Sequence, residues 1–543
     1  MSPIPEKQIR REVARRRTFA IISHPDAGKT TMTEKLLLYG GAIHLAGSVK
    51  ARKASRHATS DWMEIEKQRG ISVTSSVMQF DYDGYCINIL DTPGHQDFSE
   101  DTYRTLCAAD AAVMLLDGAK GVEPQTIKLF QVCRLRHIPI YTFINKMDRA
   151  ALPPLDLMDE LEQVLGIFSY PMNWPIGRDG RFRGIYNRQS GKVEFFDEHS
   201  GDHGASKVKA IAVDLSSPDL PRELGSDADV QKLRDDITLL TEAGEEFSLE
   251  RVLKGELTPL FFGSALTNFG VETFLKAFLK MAPPPLDRSS NQGLIPAASP
   301  DFSGFVFKIQ ANMNPDHRDR LAFIRICSGA YEKNMEVRQV RTKKTIRLAQ
   351  PQQFMAQDHK VVEEAYAGDI IGVFDPGIYR IGDSLCAGSE DIVYAGIPVF
   401  PPEHFAAISA RDSMKRKQFL KGMEQLAQEG AIQIYKRPDI GTETFVVGVV
   451  GVLQFDVLAY RLRFEYNVDI RSQQLNYRFA RWLKIRGRAE AQVSDFDDLT
   501  LTSTTMKVLD AHERPVLLFE SDWAINWVLE RNHDIELVDI GEA

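Results

Sequence analysis

The sequence predicts a multidomain α/β protein, in which a domain with a mostly parallel sheet is followed by a β-barrel and then by a ferredoxin-like α+β domain. The 543 residues are too many for one hydrophobic core. Up to residue 281, short apolar runs alternate with helical patterns, as in a parallel sheet with crossover helices. A Pro-rich stretch then precedes a region of short strand-like runs. We therefore expect domains at 1–281, 301–390 and 391–543, with a linker at 282–300.

In the first domain, strand and helix patterns alternate along the chain, and this alternation predicts the sheet. The candidate strands are Thr18–Ser23, Ser72–Tyr82, Tyr85–Asp91, Ala111–Asp117, Ile138–Asn145 and Leu260–Ser264. The candidate helices are Lys29–Tyr39, Asp97–Ala108, Glu123–Arg136, Leu155–Leu165 and Val271–Met281. The segment from 169 to 257 interrupts this rhythm, and we interpret it as an inserted subdomain.

The second and third domains have patterns of their own. From 302 to 387 only short strand-like runs occur, with turn residues between them, which indicates a small β-barrel. From 403 the order is β-α-β-β-α-β, which is the split ferredoxin-like arrangement. The second helix of this domain is predicted to carry one apolar face, formed by Leu453, Val457, Tyr460 and Phe464. The residues after 473 are predicted only as an extension of the third domain.

Composition and charge limit the class of protein. Apolar residues make up 43% and charged residues 26% of the chain, as in soluble globular proteins. The five cysteines show no metal-ligand spacing, so we expect a reducing compartment and no disulfides. The longest apolar runs are far shorter than the ~20 residues of a membrane span. A net charge of −9 is unlike that of a basic nucleic-acid coat. We expect a cytoplasmic protein, monomeric in solution, that binds neither membranes nor DNA.

A phosphate-binding loop is predicted at the end of the first strand. Its sequence is Ser23-His24-Pro25-Asp26-Ala27-Gly28-Lys29-Thr30, and Thr31 follows in the helix. This context is that of a P-loop, although Ser23 stands where the motif usually has its first glycine. Backbone N–H groups at the helix start favour anions. Lys29 supplies a charge for the β- and γ-phosphates, and Thr30 offers a hydroxyl to Mg²⁺. A chance strand–turn–helix is the alternative.

A metal-binding carboxylate is predicted at the end of the third strand. The segment reads Asp91-Thr92-Pro93-Gly94-His95. Asp91 can hold Mg²⁺, directly or through water, and Gly94 can present its N–H to a γ-phosphate. An ordinary β-turn explains this segment equally well on its own, because Pro-Gly is a common turn pair.

Guanine recognition is predicted at the ends of the last two strands. One end reads Asn145-Lys146-Met147-Asp148, and the other, after Gly263, reads Ser264-Ala265-Leu266. Asp148 can accept from N1–H and the 2-amino group of guanine, which adenine lacks, so the site would reject ATP. Lys146 would lie along the ring, and amides of the second segment would meet the guanine carbonyl. Each signal is weak alone, but all four segments follow strands of an open α/β sheet, where ligands bind.

A switch loop and a catalytic histidine complete the predicted site. The polar loop from 42 to 70 is long enough to be functional. The hydroxyl of Ser72 would reach Mg²⁺ only while a γ-phosphate holds this loop closed, and hydrolysis would release it. A disordered surface loop is the alternative. His95 follows the third-strand turn directly and can orient the attacking water, beside Lys29 as the other catalytic residue. A structural histidine is the alternative.

These motifs together resemble those of the translational GTPases. The resemblance rests on Asp26–Thr30, Arg69–Ser72, Asp91–His95 and Asn145–Asp148, and above all on the histidine after Asp-Thr-Pro-Gly. This family usually has Thr at the position of Ser72, and the hydroxyl is kept. The inserted subdomain, barrel and third domain look like those of elongation factor G. The segments Glu66–Val73 and Ser76–Phe80 are similar to those of the class II peptide chain release factors.

This resemblance implies a ribosome-stimulated GTPase that uses GTP and GDP with Mg²⁺. It further implies that the protein binds ribosomal RNA and proteins of the terminating ribosome. There it would promote departure of class I peptide chain release factors after peptide release. Three alternatives remain: another ribosome-bound GTPase of rescue or assembly, a GTP-gated binding module without turnover, and a GTP-driven subunit of a metabolic enzyme.

Two basic segments are candidate ribosome contacts. Tyr477–Arg488 interleaves basic and aromatic residues, as RNA-facing surfaces do. A strand with one solvated basic face is the alternative for this segment. The other basic group stands at a helix start, where it opposes the helix dipole, and comprises Arg411, Lys415, Arg416 and Lys417.

Overall fold

The structure, a computed structural model, describes most of the chain in a series of ranges. These are 4–43, 74–177, 182–196, 210–218, 220–224, 226–311, 320–348, 351–355, 358–388, 390–394, 396–397, 400–438, 444–488 and 491–539. Within them, no helix is both long and apolar enough to cross a membrane. All five cysteines are buried and free.

The first domain contains a seven-stranded sheet, and the prediction of a mostly parallel sheet is confirmed. In spatial order its strands are Ser76–Tyr82, Tyr85–Asp91, Arg16–Ser23, Ala111–Asp117, Ile140–Asn145, Leu257–Phe262 and Phe168–Pro171. Only the first of these pairs is antiparallel. The central strand Arg16–Ser23 is buried along its whole length, because helices cover both faces of the sheet.

Five helices of the first domain correspond to predicted ones, whereas Glu6–Ala14 was not predicted. The helices are Glu6–Ala14, Lys29–Tyr39, Ser99–Cys107, Pro124–Leu135, Pro154–Leu165 and Val271–Met281. The helix expected at Asp97–Ala108 is preceded by a separate 3₁₀ turn, Gln96–Phe98. The strand expected at Leu260–Ser264 lies earlier, at Leu257–Phe262, so the Ser264–Leu266 segment follows the strand as a loop.

The segment that interrupts the first domain has a sheet of its own. Its four antiparallel strands are, in spatial order, Ala210–Asp214, Lys192–Phe196, Gly184–Asn187 and Asn173–Ile176. Its helices are Leu220–Leu224, Asp227–Glu242 and Leu249–Leu253.

The stretch 282–300, expected as a linker from its composition, contains ordered structure. A hairpin pairs Arg288–Ser290 with Gly293–Ile295. The guanidinium of Arg288 donates to the carbonyl of Cys107 at 2.8 Å and to the carboxylate of Asp110 at 3.0 Å. This stretch therefore packs against the first domain, which a composition argument does not reveal.

The second domain is the predicted β-barrel. Its eight-stranded sheet runs, in spatial order, Lys344–Arg347, Glu336–Gln339, Ser384–Cys386, Ser303–Ala311, Arg320–Ser328, Ile370–Phe374, Gln352–Met355 and Asp358–Val361. A two-stranded ladder joins Ala330–Glu332 to Glu364–Tyr366. Buried ion pairs fix the barrel to the first domain: Arg325 lies 2.5 Å from Asp110, and Arg16 lies 2.8 Å from Asp369.

The third domain has the predicted strand–helix–strand–strand–helix–strand order. Its sheet runs Gln433–Tyr435, Thr444–Val449, His404–Ala410 and Ile470–Leu475, and its helices are Arg416–Gln428 and Leu453–Tyr466. The apolar face expected for the second helix was wrong. The buried apolar residues there are Phe455, Leu458 and Leu462, whereas Phe464 is 65% exposed.

The residues after 475 form a further small sheet beyond the ferredoxin-like unit. Its strands are Met506–Leu509, Pro515–Phe519, Phe479–Ile485 and Ile535–Val538, with a 3₁₀ helix Val493–Asp498 and the helix Asp522–Arg531. In the basic–aromatic segment, Trp482 is buried and donates to Asp510 at 2.9 Å. Arg481 is paired with Asp539 at 2.8 Å. These contacts favour the alternative of a strand with a basic face over stacked RNA bases at Trp482.

Candidate nucleotide-binding site

Parallel register brings the predicted segments to one edge of the main sheet. Across neighbouring strands, the Cα partners at this edge are Ile21 with Asp91, Ser23 with Leu115, and Asp117 with Asn145. Because all these strands run in the same direction, their carboxyl ends meet at that edge. The loops that follow them therefore converge without any further adjustment of the fold.

The loop before the helix Lys29–Tyr39 turns through two left-handed residues. Asp26 has φ 66° and Gly28 has φ 96°. A side chain at Gly28 would not fit, because a Cβ there would lie 2.3 Å from Nδ2 of Asn145. The amides at the start of this helix have no carbonyl partner one turn earlier, and the helix dipole favours an anion there. The backbone thus has the form that a phosphate-binding loop requires.

Lys29 and Asp91 are in direct contact beneath this loop. The ammonium of Lys29 donates to Oδ1 of Asp91, and the residues are only 6% and 2% exposed. The charge predicted to serve phosphates and the carboxylate predicted to serve a metal are therefore adjacent. Within the described ranges, Oδ2 of Asp91 is buried and has no hydrogen-bond partner, and the same is true of Oγ of Ser23.

The donor set at this position fits Mg²⁺. A buried carboxylate oxygen without a partner is costly unless a ligand satisfies it. The hydroxyl of Thr30 belongs to the first turn of the same helix and is half-buried. Carboxylate and hydroxyl oxygens are the ligands that Mg²⁺ prefers. The other predicted metal ligand, Ser72, lies outside the described residues, as does the switch loop from 44 onward.

The remaining residues of the predicted phosphate loop have neighbours on the adjacent loops. Nε2 of His24 lies 3.3 Å from Oε1 of Glu123. A Cβ built on Gly94 would stand 3.6 Å from Cα of Pro25, which brings the third-strand turn against the phosphate loop. Ala27 is buried, and Thr31 is half-buried in the helix.

His95 is held by the turn that it begins. Upstream, the hydroxyl of Thr92 donates to the carbonyl of Ile21 at 2.7 Å, and the hydroxyl of Thr102 donates to the carbonyl of Pro93 at 3.2 Å. The amide of Asp97 donates to Nδ1 of His95 at 3.2 Å. The imidazole is 29% exposed. Its ring is therefore fixed at Nδ1, while the side chain is still accessible to water.

Asn145 joins the phosphate loop to the base-binding segments. Its Nδ2 donates to the carbonyl of Ala27 at 2.8 Å, and its Oδ1 accepts from the amide of Ala265 at 2.8 Å. The backbone amide of Met147 donates to the carbonyl of Gly263 at 3.1 Å. Two predicted segments that lie far apart in sequence are thus connected by hydrogen bonds.

Lys146 is positioned by a residue that sequence reasoning missed. Its Nζ donates to Oδ2 of Asp117 at 2.7 Å and to the carbonyl of Asp26 at 2.5 Å. Asp117 ends the strand Ala111–Asp117 at the same sheet edge. The available signal was its position at a strand end, since the ends of both neighbouring strands carried a predicted motif.

Asp148 meets the second base-binding segment through Ser264. The hydroxyl of Ser264 donates to Oδ1 of Asp148 at 2.6 Å. The amide of Ser264 donates to the carbonyl of Phe269 at 2.9 Å. With the amide of Ala265 bonded to Asn145, two of the amides expected at the guanine carbonyl have partners within the protein.

The segment that follows the predicted switch loop is anchored in the barrel, which the sequence did not indicate. Nζ of Lys308 donates to the carbonyl of Ser75, and it lies 3.1 Å from Oγ of the same residue. The amide of Ser75 donates to Oδ2 of Asp101 at 2.6 Å. Lys308 is 4% exposed. The first described residues after Ser72 are therefore held by two different domains.

Comparison with protein families matches three models in succession. The Elongation factor Tu GTP binding domain matches residues 14–284, Elongation factor G domain 2 matches 301–388, and the Class II release factor RF3, C-terminal domain matches 394–529. A solved structure from Thermus thermophilus superposes with a TM-score of 0.67, covering 91% of this chain and 72% of the other at 21% identity. That likeness shows the fold alone.

Curated relatives match almost the whole chain. Peptide chain release factor 3 of Symbiobacterium thermophilum is 57% identical over 521 residues, which cover 96% of this chain and 97% of the relative. The proteins of the same name from Listeria innocua and Gloeothece citriformis are 53% and 51% identical, and each alignment covers 98% of this chain and 99% and 97% of the relative, respectively. With these matches along its length, the chain belongs to the peptide chain release factor 3 family of translational GTPases.

Proposed function

We propose that this chain hydrolyses GTP on the terminating ribosome and thereby promotes the departure of class I peptide chain release factors after peptide release. The observation that carries the proposal is the buried contact of Lys29 with Asp91, with His95 fixed at the end of the same strand. Family membership directs this chemistry to translation termination. The setting is the cytoplasm, where the chain acts as a monomer on ribosomal RNA and proteins.

Phosphate binding falls to the loop and its lysine. The loop after Ser23 leads directly into the helix that begins at Lys29, and the dipole at that helix start favours negative charge. The ammonium of Lys29 is buried, so its attraction to the β- and γ-phosphates is weakly screened by water. Asp91, Thr30 and Ser72 would hold Mg²⁺, which neutralises the charge that develops on the phosphate oxygens.

Hydrolysis requires a positioned water, and His95 is the residue that we assign to this role. Because its Nδ1 accepts from the amide of Asp97, the atom available to water is Nε2. A ring fixed at one nitrogen orients a hydrogen bond at the other without loss of side-chain entropy in the transition state. Orientation of water, with stabilisation of charge, is the role that phosphoryl transfer demands.

Guanine selection falls to the segments that Asn145 connects. The carboxylate of Asp148 would accept from N1–H and the 2-amino group of guanine, and adenine would leave that carboxylate unpaired. Lys146 is held beside the loop by Asp117 and would present its aliphatic stem to the base.

GTP hydrolysis by the purified protein, with and without vacant or terminating ribosomes, tests the proposal, and ATP serves as the nucleotide control. We expect strong stimulation by ribosomes and no ATP turnover. Dissociation of a labelled class I release factor from terminating ribosomes then tests the termination step. Turnover that is indifferent to ribosomes would overturn the assignment to translation.

The variant His95→Ala tests the role of the histidine. We expect nearly normal binding of GTP and a loss of ribosome-stimulated hydrolysis of roughly 10²-fold or more, as when a group that stabilises the transition state is removed. The exposed His533 offers a matched control in His533→Ala, which should hydrolyse GTP normally. Weak GTP binding by His95→Ala would show that the residue is structural instead.

A further inference from the structure

One carboxylate joins the catalytic histidine to the third domain. Oδ2 of Asp97 accepts the amide of Leu453 at 2.7 Å, and Leu453 is the first residue of a third-domain helix. Nδ1 of His95 accepts the backbone amide of Asp97, and Oδ1 of Asp97 lies 3.3 Å from the same nitrogen as a contact without a hydrogen bond. Asp97 is 8% exposed. The side chain therefore contacts both the histidine and another domain while shielded from water.

The geometry on the third-domain side is tight. A Cβ on Gly451 would lie 2.3 Å from Cα of Asp97, so the backbone of this loop approaches the turn as closely as a glycine permits. The loop is itself braced, because Oε1 of Gln454 accepts the amides of Val450 at 2.9 Å and Gly451 at 3.0 Å. A braced loop transmits displacement of the third domain to Asp97.

The electrostatics favour the same arrangement. The amide of Leu453 belongs to the first turn of the helix, where the dipole favours a negative charge. The recorded N-cap of this helix has no side-chain hydrogen bond of its own. Asp97 thus supplies from the first domain the cap that the third domain does not provide.

We propose that Asp97 is a positioning residue through which the docked third domain sets the orientation of His95 for GTP hydrolysis. Displacement of the third domain withdraws Leu453 and frees the side chain of Asp97. The backbone amide of the same residue, which holds Nδ1 of His95, is loosened with it. This inference rests on the proposed function, because it assumes that His95 orients the attacking water.

The variant Gly451→Ala tests the proposal from the third-domain side of the contact with Asp97. It introduces a methyl group into the contact with Asp97 and leaves the first domain untouched. We expect kcat at saturating ribosomes to fall about 10- to 100-fold, as for a small misplacement of a catalytic group. The KM for ribosomes and the affinity for GDP should stay unchanged. Val452→Ala is the matched control, since its side chain is 45% exposed in the same loop.

Two further measurements separate positioning from simple structural damage. In a His95→Ala background, Gly451→Ala should cause no additional loss, because both changes remove the same interaction. Asp97→Asn keeps an acceptor for Leu453 and should retain most of the rate, whereas Asp97→Ala should behave like Gly451→Ala. Additive losses in the double variant, or equal losses for Asp97→Asn and Asp97→Ala, would overturn the inference.

The outcomes for the wild-type protein distinguish this inference from the function on which it rests. A wild type that ribosomes do not stimulate refutes the proposed function. A stimulated wild type with Gly451→Ala as active as Val452→Ala refutes only the role of Asp97.

Discussion

Asp148→Asn probes the base-binding end of the site with little disturbance to the fold. The substitution exchanges one carboxylate oxygen for an amide nitrogen of similar size. The remaining oxygen can still accept the hydroxyl of Ser264, which donates to Oδ1 of Asp148 at 2.6 Å. With that oxygen occupied, the new NH₂ group faces the base. The N1–H and 2-amino donors of guanine then face the NH₂ donor of asparagine instead of the negatively charged acceptor of aspartate.

The size of the effect follows from the hydrogen bonds lost. A hydrogen bond to a charged group contributes about 1.5–3 kcal/mol. Loss of the two proposed bonds from N1–H and the 2-amino group should weaken GDP binding by about 3–6 kcal/mol, or roughly 10²- to 10⁴-fold. Xanthine carries a carbonyl oxygen at C2, which can accept from the new NH₂ group. Xanthosine diphosphate should therefore become the preferred ligand.

Competition titrations against a fluorescent GDP analogue measure this change in selectivity. The wild type, Asp148→Asn and the control Asp159→Asn are compared with GDP, xanthosine diphosphate and ADP as competitors. Asp159 is exposed on the helix Pro154–Leu165 of the same domain, and its variant should behave as wild type. An unchanged preference of Asp148→Asn for guanine over adenine nucleotides would refute the assignment of Asp148 to base recognition.

Two other substitutions test a contact between the first two domains and a contact within the third. Lys308→Met removes the buried ammonium that binds Ser75, and the free energy of unfolding should fall by about 2 kcal/mol; an unchanged Tm relative to the exposed control Lys344→Met would contradict this. Burial alone would raise the pKa of Asp510, but hydrogen bonds from Trp482 and neighbouring amides outweigh it and hold the pKa below its ordinary value of 3.8. Because the ionised form is favoured in the folded protein, Asp510→Asn should be about 2 kcal/mol less stable above that pH. This difference should shrink in urea unfolding as the pH falls below 3.8, and a pH-independent difference would contradict the reasoning.

The local motifs of the site were predictable because each is encoded within a few neighbouring residues. A strand, a glycine-containing loop and a helix start at Lys29 follow one another directly. The contacts that connect these motifs were not predictable in the same way. Lys146 reaches Asp117 across 29 residues, whereas Asp97 reaches Leu453 across 356 residues. Only the fold brings such pairs together, and no local sequence pattern predicts these contacts.

The wrong face expected for the helix Leu453–Tyr466 has a specific cause. Apolar side chains occur on all sides of this helix, so helical spacing alone selects no unique buried stripe. The structure turns Phe455 and Leu458 toward the sheet. Phe464 faces outward and contacts Tyr460, with ring centroids 4.4 Å apart and ring planes tilted by 38°. Packing against the sheet decided between faces that the sequence left equivalent.

The contacts of the third domain with the His95 segment favour a two-state coupling over a gradual one. Besides the bond from Leu453 to Asp97, the buried guanidinium of Arg104 donates to the carbonyls of Glu429 at 3.1 Å and Gly430 at 2.8 Å. All three bonds involve a charged group and are largely shielded from water, so a small displacement of the third domain strains them together. At about 1.5–3 kcal/mol each, their combined loss amounts to roughly 5–9 kcal/mol. A partner that displaces the third domain must bind the displaced state more tightly by that amount. A contact area of ribosomal size can supply such a difference, since nanomolar binding alone corresponds to about 12 kcal/mol.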